Sequence, residues 1–482
     1  MEKELDILIG LEVHCQLTSL KTKLFCSCSS DYRGKEPNTN ICPICMGLPG
    51  TLPSVNMQAI KEAIKIALAL NAKIANNMLF FRKNYFYPDL PKNFQISQYD
   101  KAGGIPLASN GHIKLSNGKV VRIRRIHLEE DPAKISYEGN IATSPYTLVD
   151  YNRAGIALVE IVTEPDMKSP KEAREFLQML HSTLEHLGVV NPELEGALRC
   201  DANISIKGCG RVEVKNVSSF KEVERALSFE ITRQKARLKG GLRIFRETRH
   251  WDEVRRITVS LRVKEEEEDY RYFPEPDLVP VKISKDIIED VKQSMPELPK
   301  ERSLRFVRDY KLSKEVAEVL TSNKIIADFF EECAKIANNP RRVGNWLVSE
   351  ILGYLNREGL EFQDLKLKHK DIVRISNMVD DKEISEKVAK EMIYGLIKGE
   401  EIDKIIKRIV RPKASESEVL KVVNLIFKKN EKAVSDAIKD KRAINFLVGQ
   451  VMKECKGQAE PKVVLQLITK KIKELEELKV KR

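Results

Sequence analysis

No glycine cradle for phosphates occurs in these 482 residues: neither G-x-x-x-x-G-K-[ST] nor G-x-G-x-x-G is present. Any nucleotide used here must therefore be held by metal ions and carboxylates, not by a P-loop or a dinucleotide turn. A nucleophile elbow and an amidase-type Ser-Ser-Lys arrangement are missing too, which argues against covalent acyl transfer. Long apolar runs are absent. IKIALALNAKIA is broken by Lys65 and Asn71, well short of a membrane span. The opening MEKELDILIGLEVH mixes acids and bases before a strand-like stretch and has no small-residue cleavage site. A cytoplasmic protein with no membrane association is expected. Repeats, low-complexity tracts and useful coiled-coil heptads are lacking as well, so solenoid and fibrous architectures are excluded.

What is present is a heavily charged globular composition, 32% charged and 42% hydrophobic, long enough for two to four domains with their own cores. The net charge of +12 is uneven. Residues 401–482 hold 21 Lys/Arg against 12 Asp/Glu, leaving 62 against 59 before them. A phosphate backbone is the obvious partner for such a tail, although a solvated helical face has the same composition.

Three stretches carry chemistry. In LDILIGLEVHCQL, residues 5–17, apolar and polar positions alternate, so Glu12 and His14 share one strand face. RIRRIHLEED, residues 122–131, runs from alternating bases into three consecutive carboxylates. RCDANISIKGCGRVEVKN, residues 199–216, reads as two strands joined by a glycine turn, with Asp201, Glu213 and Lys215 along them. Side chains i and i+2 share a strand face, which puts Glu213 beside Lys215. Carboxylates beside a lysine suit Mg²⁺ and phosphate chemistry, because hard cations take oxygen ligands and lysine offsets phosphate charge.

Cys26, Cys28, Cys42 and Cys45 form a fourth group, C-x-C and C-x-x-C across a short loop. In CPICMG, Pro43 stiffens the turn and Gly47 lets the backbone fold back toward the thiolates. This spacing fits a closed Zn²⁺ site of four thiolates with no open position, hence a structural one. No βαβ pattern surrounds it, so a thioredoxin-like redox role fits poorly, and the remaining five cysteines have no such spacing.

Helices are expected at 56–71, 170–187 and 220–239, the second opened by Pro170 and closed by Gly188. RKNYFYPDLPKNFQISQYD, residues 82–100, reads as a Tyr- and Asn-rich loop that either packs a surface or stacks a base. The acidic run at 264–269 leads into aromatic and proline residues up to 281. Strand patterns stop at about Pro296. Helical patterns follow at 313–321, 325–337, 343–357, 371–398, 418–429 and 462–479, with a poorly helical joint at 410–417.

GLEVH, the two cysteine pairs, RKNYFYPDLPKNFQISQYD, HLEED, LVDYNRAG, EIVTEPD, LRCDANIS, EVKNVSSF and DYRYFPEPDL occur in this order. Together they make the chain resemble, over its whole length, the B-subunit family of tRNA-dependent aspartyl/glutamyl amidotransferases, the GatB family. The resemblance implies an α+β fold in three parts. A mixed α/β cradle domain of the glutamine synthetase kind, with the knuckle at 26–45, would span 1–293. An all-α helical domain would span 294–408, and a basic all-α tail that binds tRNA would span 409–482.

It implies a carbon–nitrogen ligase activity: ATP- and Mg²⁺-dependent phosphorylation of the side-chain carboxylate of Glu on tRNA(Gln), of Asp on tRNA(Asn), or of both. Ammonia, released from glutamine by the amidase (glutaminase) chain of the assembly, then displaces phosphate, and a small third chain completes a heterotrimer. Carried over by motif, Glu12, His14, Glu130, Asp201 and Glu213 are expected as Mg²⁺ and ATP-site ligands. Lys215 joins the catalytic set. Lys83, Asn84, Tyr85, Asn216 and Ser218 are expected to line the nucleotide and aminoacyl pocket. Histidine is an unusual Mg²⁺ ligand, so His14 either binds metal or orients a water. Family members without the four cysteines keep the fold, which suits a bracing zinc. Two other readings use the same residues: a zinc-knuckle RNA-binding protein without catalysis, and a stand-alone ligase acting on a small acid. ATP turnover that depends on misacylated tRNA separates them.

Overall fold

The computed structural model describes residues 6–101, 103–138, 144–215, 217–263, 270–409, 416–439, 443–455, 459 and 461–480. The chain forms two compact units, Met1–Phe329 and Phe330–Arg482.

Strands of the first unit follow in chain order as β1 (Ile7–Gln16), β2 (Lys73–Ile74), β3 (Asn77–Met78), β4 (Phe81–Asn84), β5 (Phe94–Ser97), β6 (Ala108–Lys114), β7 (Val120–Glu130) and β8 (Lys134–Tyr137). After them come β9 (Thr147–Asp150), β10 (Ala157–Thr163), β11 (Leu198–Ile206), β12 (Val212–Lys215), β13 (Glu247–Asp252), β14 (Ile257–Val263), β15 (Phe273–Pro274) and β16 (Val281–Lys282). Among the described residues, nine of these build one sheet in the order β14-β13-β12-β11-β1-β10-β7-β6-β2. Its neighbours are antiparallel except β12 and β13.

Pleat alternation assigns the two faces of this sheet. Ile9, Leu11, Val13 and Cys15 of β1 are fully buried, with Val159 and Ile161 of β10 and Ala202 and Ile204 of β11. They share one core with helices α1 (Met57–Ala69), α2 (Pro170–Leu187) and α3 (Phe220–Lys239). The intervening residues of β1, namely Glu12, His14 and Gln16, are thereby left on the face without helices. Helix ends obey local chemistry. The Ser169 hydroxyl accepts from the Glu172 N–H at 3.3 Å, Pro170 occupies the first turn, and Gly188 closes α2 at φ +69°.

The stretch 82–100, read from sequence as a loop, contributes to β4 and β5, which join β15 in a three-stranded sheet of order β15-β4-β5. Its polar residues pair instead of exposing a loop: Arg82 meets Glu275 at 2.7 Å, and Asn84 donates to the Arg271 carbonyl at 2.8 Å. Residues 294–329, placed by sequence in the helical domain, group with the sheet unit. There Ser182 donates to the Thr321 carbonyl at 3.0 Å, and the Lys324 N–H donates to Glu185 at 2.9 Å.

In the second unit, every described element is helical. The helix expected over 343–357 is instead an α-helical turn, Pro340–Trp346, a π-helical segment, Leu347–Leu352, and a short helix, Gly353–Glu358. Helices Glu416–Lys429, Glu431–Lys439, Ile444–Glu454 and Pro461–Val480 surround a core of their own that includes Val423, Leu447, Val451, Val464 and Ile468. Residues 410–415 of the expected joint and the acidic run 264–269 lie outside the described residues. No helix among the described residues is long and apolar enough to cross a membrane.

Candidate functional site

The helix-free face of the large sheet gathers charged groups from five adjacent strands. In β1, Glu12 stands opposite Asp201 of β11, and His14 stands opposite Glu160 of β10. Glu160 in turn faces His127 of β7. Cross-strand neighbours on one face lie about 5 Å apart, so register alone concentrates these side chains. His14 Nε2 sits 3.5 Å from Glu12 Oε1 and 3.7 Å from Glu160 Oε2. Arg125 of β7 reaches Glu160 at 3.1 Å and Asp100 at 3.3 Å, and His127 Nδ1 lies 3.8 Å from Glu160. On the other flank, Lys215 Nζ is 2.8 Å from Asp201 and 3.7 Å from Glu213, with Glu213 also accepting from Thr248 at 3.1 Å.

The small sheet brings Lys83 to the same carboxylates. Burial lowers its pKa, but Glu129, Tyr85 and Glu160 outweigh burial and the net shift is upward. Its ammonium stands 5.1 Å above the Tyr270 ring and 5.8 Å from the Tyr85 ring centre. Glu129, which accepts from Ser97 at 2.6 Å, is pushed up to about 7 by burial first and by Glu160 next. Glu12 is raised for the same two reasons. Glu160 is held well below the usual range: burial is opposed by the hydrogen bond from His14 and by the His127 and Arg125 charges. Burial depresses His14, yet Glu160 and Glu12 win and bring it up to about 9. Burial wins at His127, which falls to about 4.

Of the residues singled out from sequence, Glu12, His14, Asp201, Glu213 and Lys215 come together on this face, with Lys83 beside them. Glu130 does not. The pleat turns it away from Glu129, toward Lys92 Nζ at 2.6 Å and the Ile96 N–H at 2.8 Å. Tyr85 packs edge-on against Tyr270 with ring centres 5.9 Å apart. Ser218 lies beyond β12, its N–H donating to Glu253 at 3.1 Å. Asn216 lies outside the described residues. Sequence reasoning passed over Glu160, Glu129 and Arg125. The signal for Glu160 was a lone carboxylate inside the apolar strand ALVEIVT, although nothing in the sequence pairs that strand with β1.

Among the described residues, two groups could hold metal. Glu12, His14 and Glu160 offer one ligand atom each, all within 4.8 Å of one another. Two carboxylates and one imidazole, with Asp201 alongside, suit a divalent cation that takes mainly oxygen. The sulfurs of Cys26, Cys28, Cys42 and Cys45 also lie within 4.8 Å of one another. Thiolates about 2.3 Å from a common zinc would stand ~3.8 Å apart, so small movements close the site. The Cys42 N–H donates to Cys45 Sγ at 3.1 Å, as knuckle amides do toward thiolates. A hydrogen bond from Cys26, opposed by burial and aided by the Cys42 backbone and the Lys23 charge, brings the Cys45 thiol down to about 4.

Comparison with known proteins finds relatives over nearly the whole chain. Residues 7–289 match the family described as the GatB/GatE catalytic domain, and residues 328–472 match a family described as the GatB domain. A protein of Sulfurisphaera tokodaii, named as the B subunit of aspartyl/glutamyl-tRNA(Asn/Gln) amidotransferase, is 52% identical over 466 residues, covering 96% of this chain and 98% of its own. Relatives with that name from Thermotoga maritima and Methanospirillum hungatei are each 47% identical, over 96% and 95% of this chain and 98% and 97% of theirs.

Proposed function

This chain belongs to the GatB family, and from that premise we propose that its polar cleft activates the side-chain carboxylate of an amino acid misacylated on tRNA. It is the B chain of a tRNA-dependent amidotransferase, a ligase that forms a carbon–nitrogen bond with nitrogen from glutamine. The sheet unit serves as a cradle of the glutamine synthetase kind. The substrates are Glu on tRNA(Gln), Asp on tRNA(Asn), or both. Two partner chains complete a cytoplasmic heterotrimer: an amidase that supplies ammonia and a small chain that braces the assembly.

One observation carries the reading: Glu12, His14 and Glu160 converge on one point of the sheet, between a lysine on either flank. With Asp201 and Glu213, this set is the proposed holder of Mg²⁺. An ion held there beside ATP would offset phosphate charge during transfer to the substrate carboxylate. The chain's own groups do the positioning. Lys83 and Lys215 approach from opposite sides and offset phosphate charge. Arg125 and His127 hold Glu160 Oε1, which leaves Oε2 toward His14. Tyr85, Asn84 and Ser218 frame the nucleotide and aminoacyl pocket. An oxygen of the substrate carboxylate attacks phosphorus, ADP leaves, and ammonia then attacks the acyl carbon and expels phosphate.

The tail after residue 409, with its separate core and the charge excess, grips the tRNA body through phosphates. The four-cysteine group holds a structural zinc. ATP turnover by the assembled complex tests the proposal. Turnover should rise when misacylated tRNA is added and vanish in Glu12→Gln, whereas turnover indifferent to tRNA would point to a stand-alone ligase.

A further inference from the structure

Two glycines set the cysteine loop close to the Lys92–Glu130 pair. Gly47, in the second cysteine pair's turn, has φ +67°, and a Cβ placed there would run into Lys92 Cγ and lie 3.2 Å from Lys92 Cβ. The aliphatic stem of Lys92 therefore rests directly on the knuckle backbone. Gly155 has φ +86°, and a Cβ there would lie 3.5 Å from Lys23 Cδ, 3.6 Å from Cys45 Cβ and 3.9 Å from Glu130 Oε2. Knuckle and carboxylate thus meet across one backbone position. The cysteine loop touches Lys92 through Gly47, and Gly155, in a separate turn, lies between Cys45 and Glu130.

The loop that does this is organised around the thiols. Met46 N–H donates to Cys42 O at 3.0 Å, Gly47 N–H to Ile44 O at 3.0 Å, and Leu48 N–H to Pro43 O at 2.9 Å. The turn presenting Gly47 is the turn presenting Cys42 and Cys45. Lys23 is fully buried, and no carboxylate pairs with it among the described residues. Its ammonium instead lies 3.0 Å from Asn40 O and 3.8 Å from Cys45 Sγ. A buried cation beside a thiolate offsets the surplus negative charge of a tetrathiolate centre. Cys26, Cys45, Gly47, Lys92 and Glu130 all line one cavity of about 210 Å³.

We propose that the cysteine knuckle is the template that positions the Lys92–Glu130 pair, with Lys23 as its counter-charge, so that metal occupancy sets the shape of this cavity. The knuckle is a positioning device here, and neither it nor Lys23 touches substrate. The proposal rests on the zinc reading of the four cysteines.

Amine labelling of the full complex, followed residue by residue, tests it. Lys92 should be protected in zinc-loaded protein. Chelation should raise its labelling rate about tenfold or more, the scale of one lost charge-assisted hydrogen bond, with Lys119, in the turn between β6 and β7 and bonded to Glu172 at 2.7 Å, labelled as before. Gly47→Ala keeps all four thiolates and should raise Lys92 labelling at unchanged zinc content. Lys92 protection that persists in both overturns the proposal. Should chelation unfold the sheet, with Lys119 exposed too, Gly47→Ala decides by itself. Freshly reduced protein containing no zinc would refute the metal reading, and Gly47→Ala would still decide whether the knuckle backbone places Lys92.

Discussion

Replacing Glu160 by Gln keeps its size and removes one negative charge from the centre of the cleft. The surrounding cations are not orphaned, because Arg125 retains Asp100 at 3.3 Å and His14 retains Glu12 at 3.5 Å. Breaking a buried pair outright costs about 3–5 kcal/mol. Here an amide oxygen can still accept from Arg125, so a charge-assisted bond becomes a neutral one, at about 1–2 kcal/mol. Thermal unfolding of the sheet unit should fall by only a few degrees. Catalysis should suffer far more. Losing one preorganised charge at the phosphoryl-transfer site should cut transamidation about a hundredfold or more. The assay is amide formation on Glu-tRNA by the complete assembly, with glutamine or with free ammonium. Ammonium should not rescue Glu160→Gln, because the defect lies in activating the carboxylate and not in supplying nitrogen. Rescue by ammonium, or full activity at unchanged Mg²⁺ dependence, would show that Glu160 serves nitrogen delivery or scaffolding and that the cleft is misassigned.

Three further outcomes are expected. Metal analysis of reduced protein should give one zinc per chain, and Cys42→Ser should lower the unfolding temperature more than the activity at low temperature; the opposite order would make the metal catalytic. Truncation from Arg411 should raise KM for the charged tRNA and reduce the salt slope of binding by about one unit for each phosphate no longer gripped, with ATP hydrolysis retained; unchanged affinity would reduce the tail charge to a solvated surface. His186 of α2, with Nδ1 2.8 Å from the Ser182 carbonyl, has its pKa lowered, by burial first and also by the Arg302 and Lys324 charges. The unfolded chain therefore binds more protons than the folded one just below pH of about 6.5, and stability should fall as pH drops through that range. His186→Gln should reduce this slope, to which the depressed His127 also contributes, in urea titrations at paired pH values, and an identical slope would remove His186 as a source.

Local features of the fold were legible because they depend on nearby residues. Ser169, Pro170 and Gly188 delimit α2, and the alternation of β1 puts Glu12 and His14 on one face whatever its neighbours are. The cysteine spacing needed no tertiary information to predict a cluster. Strand order was not legible. Only the placement of β1 between β10 and β11 carries Glu160 to His14, and no local pattern encodes it. The choice within the acidic block RIHLEED was equally hidden. Pairing shifts between Val162 and Thr163, so counting alternate residues from the start of β7 misassigns which carboxylate faces the cleft. Glu129 turns in and Glu130 turns out. The stretch 82–100 looked like a loop because Pro, Asn and Tyr dominate it, yet Leu90 and Ile96 are buried, and pairing of β4 with β15 and β5 makes strands of part of it.

On the proposed mechanism, the cleft moves a phosphoryl group onto the amino acid's side-chain carboxylate. The most direct measurement places heavy oxygen in that carboxylate of Glu-tRNA and follows it through one round of amidation by the assembled complex. Attack by the carboxylate on phosphorus, then loss of phosphate to ammonia, transfers one labelled oxygen into inorganic phosphate for each amide formed. Labelled phosphate in a one-to-one ratio with Gln-tRNA, lost together with the amide in Glu12→Gln, is the expected result. Amide formation accompanied by unlabelled phosphate would mean that water cleaves ATP in a separate step, and that the side-chain carboxylate is never phosphorylated.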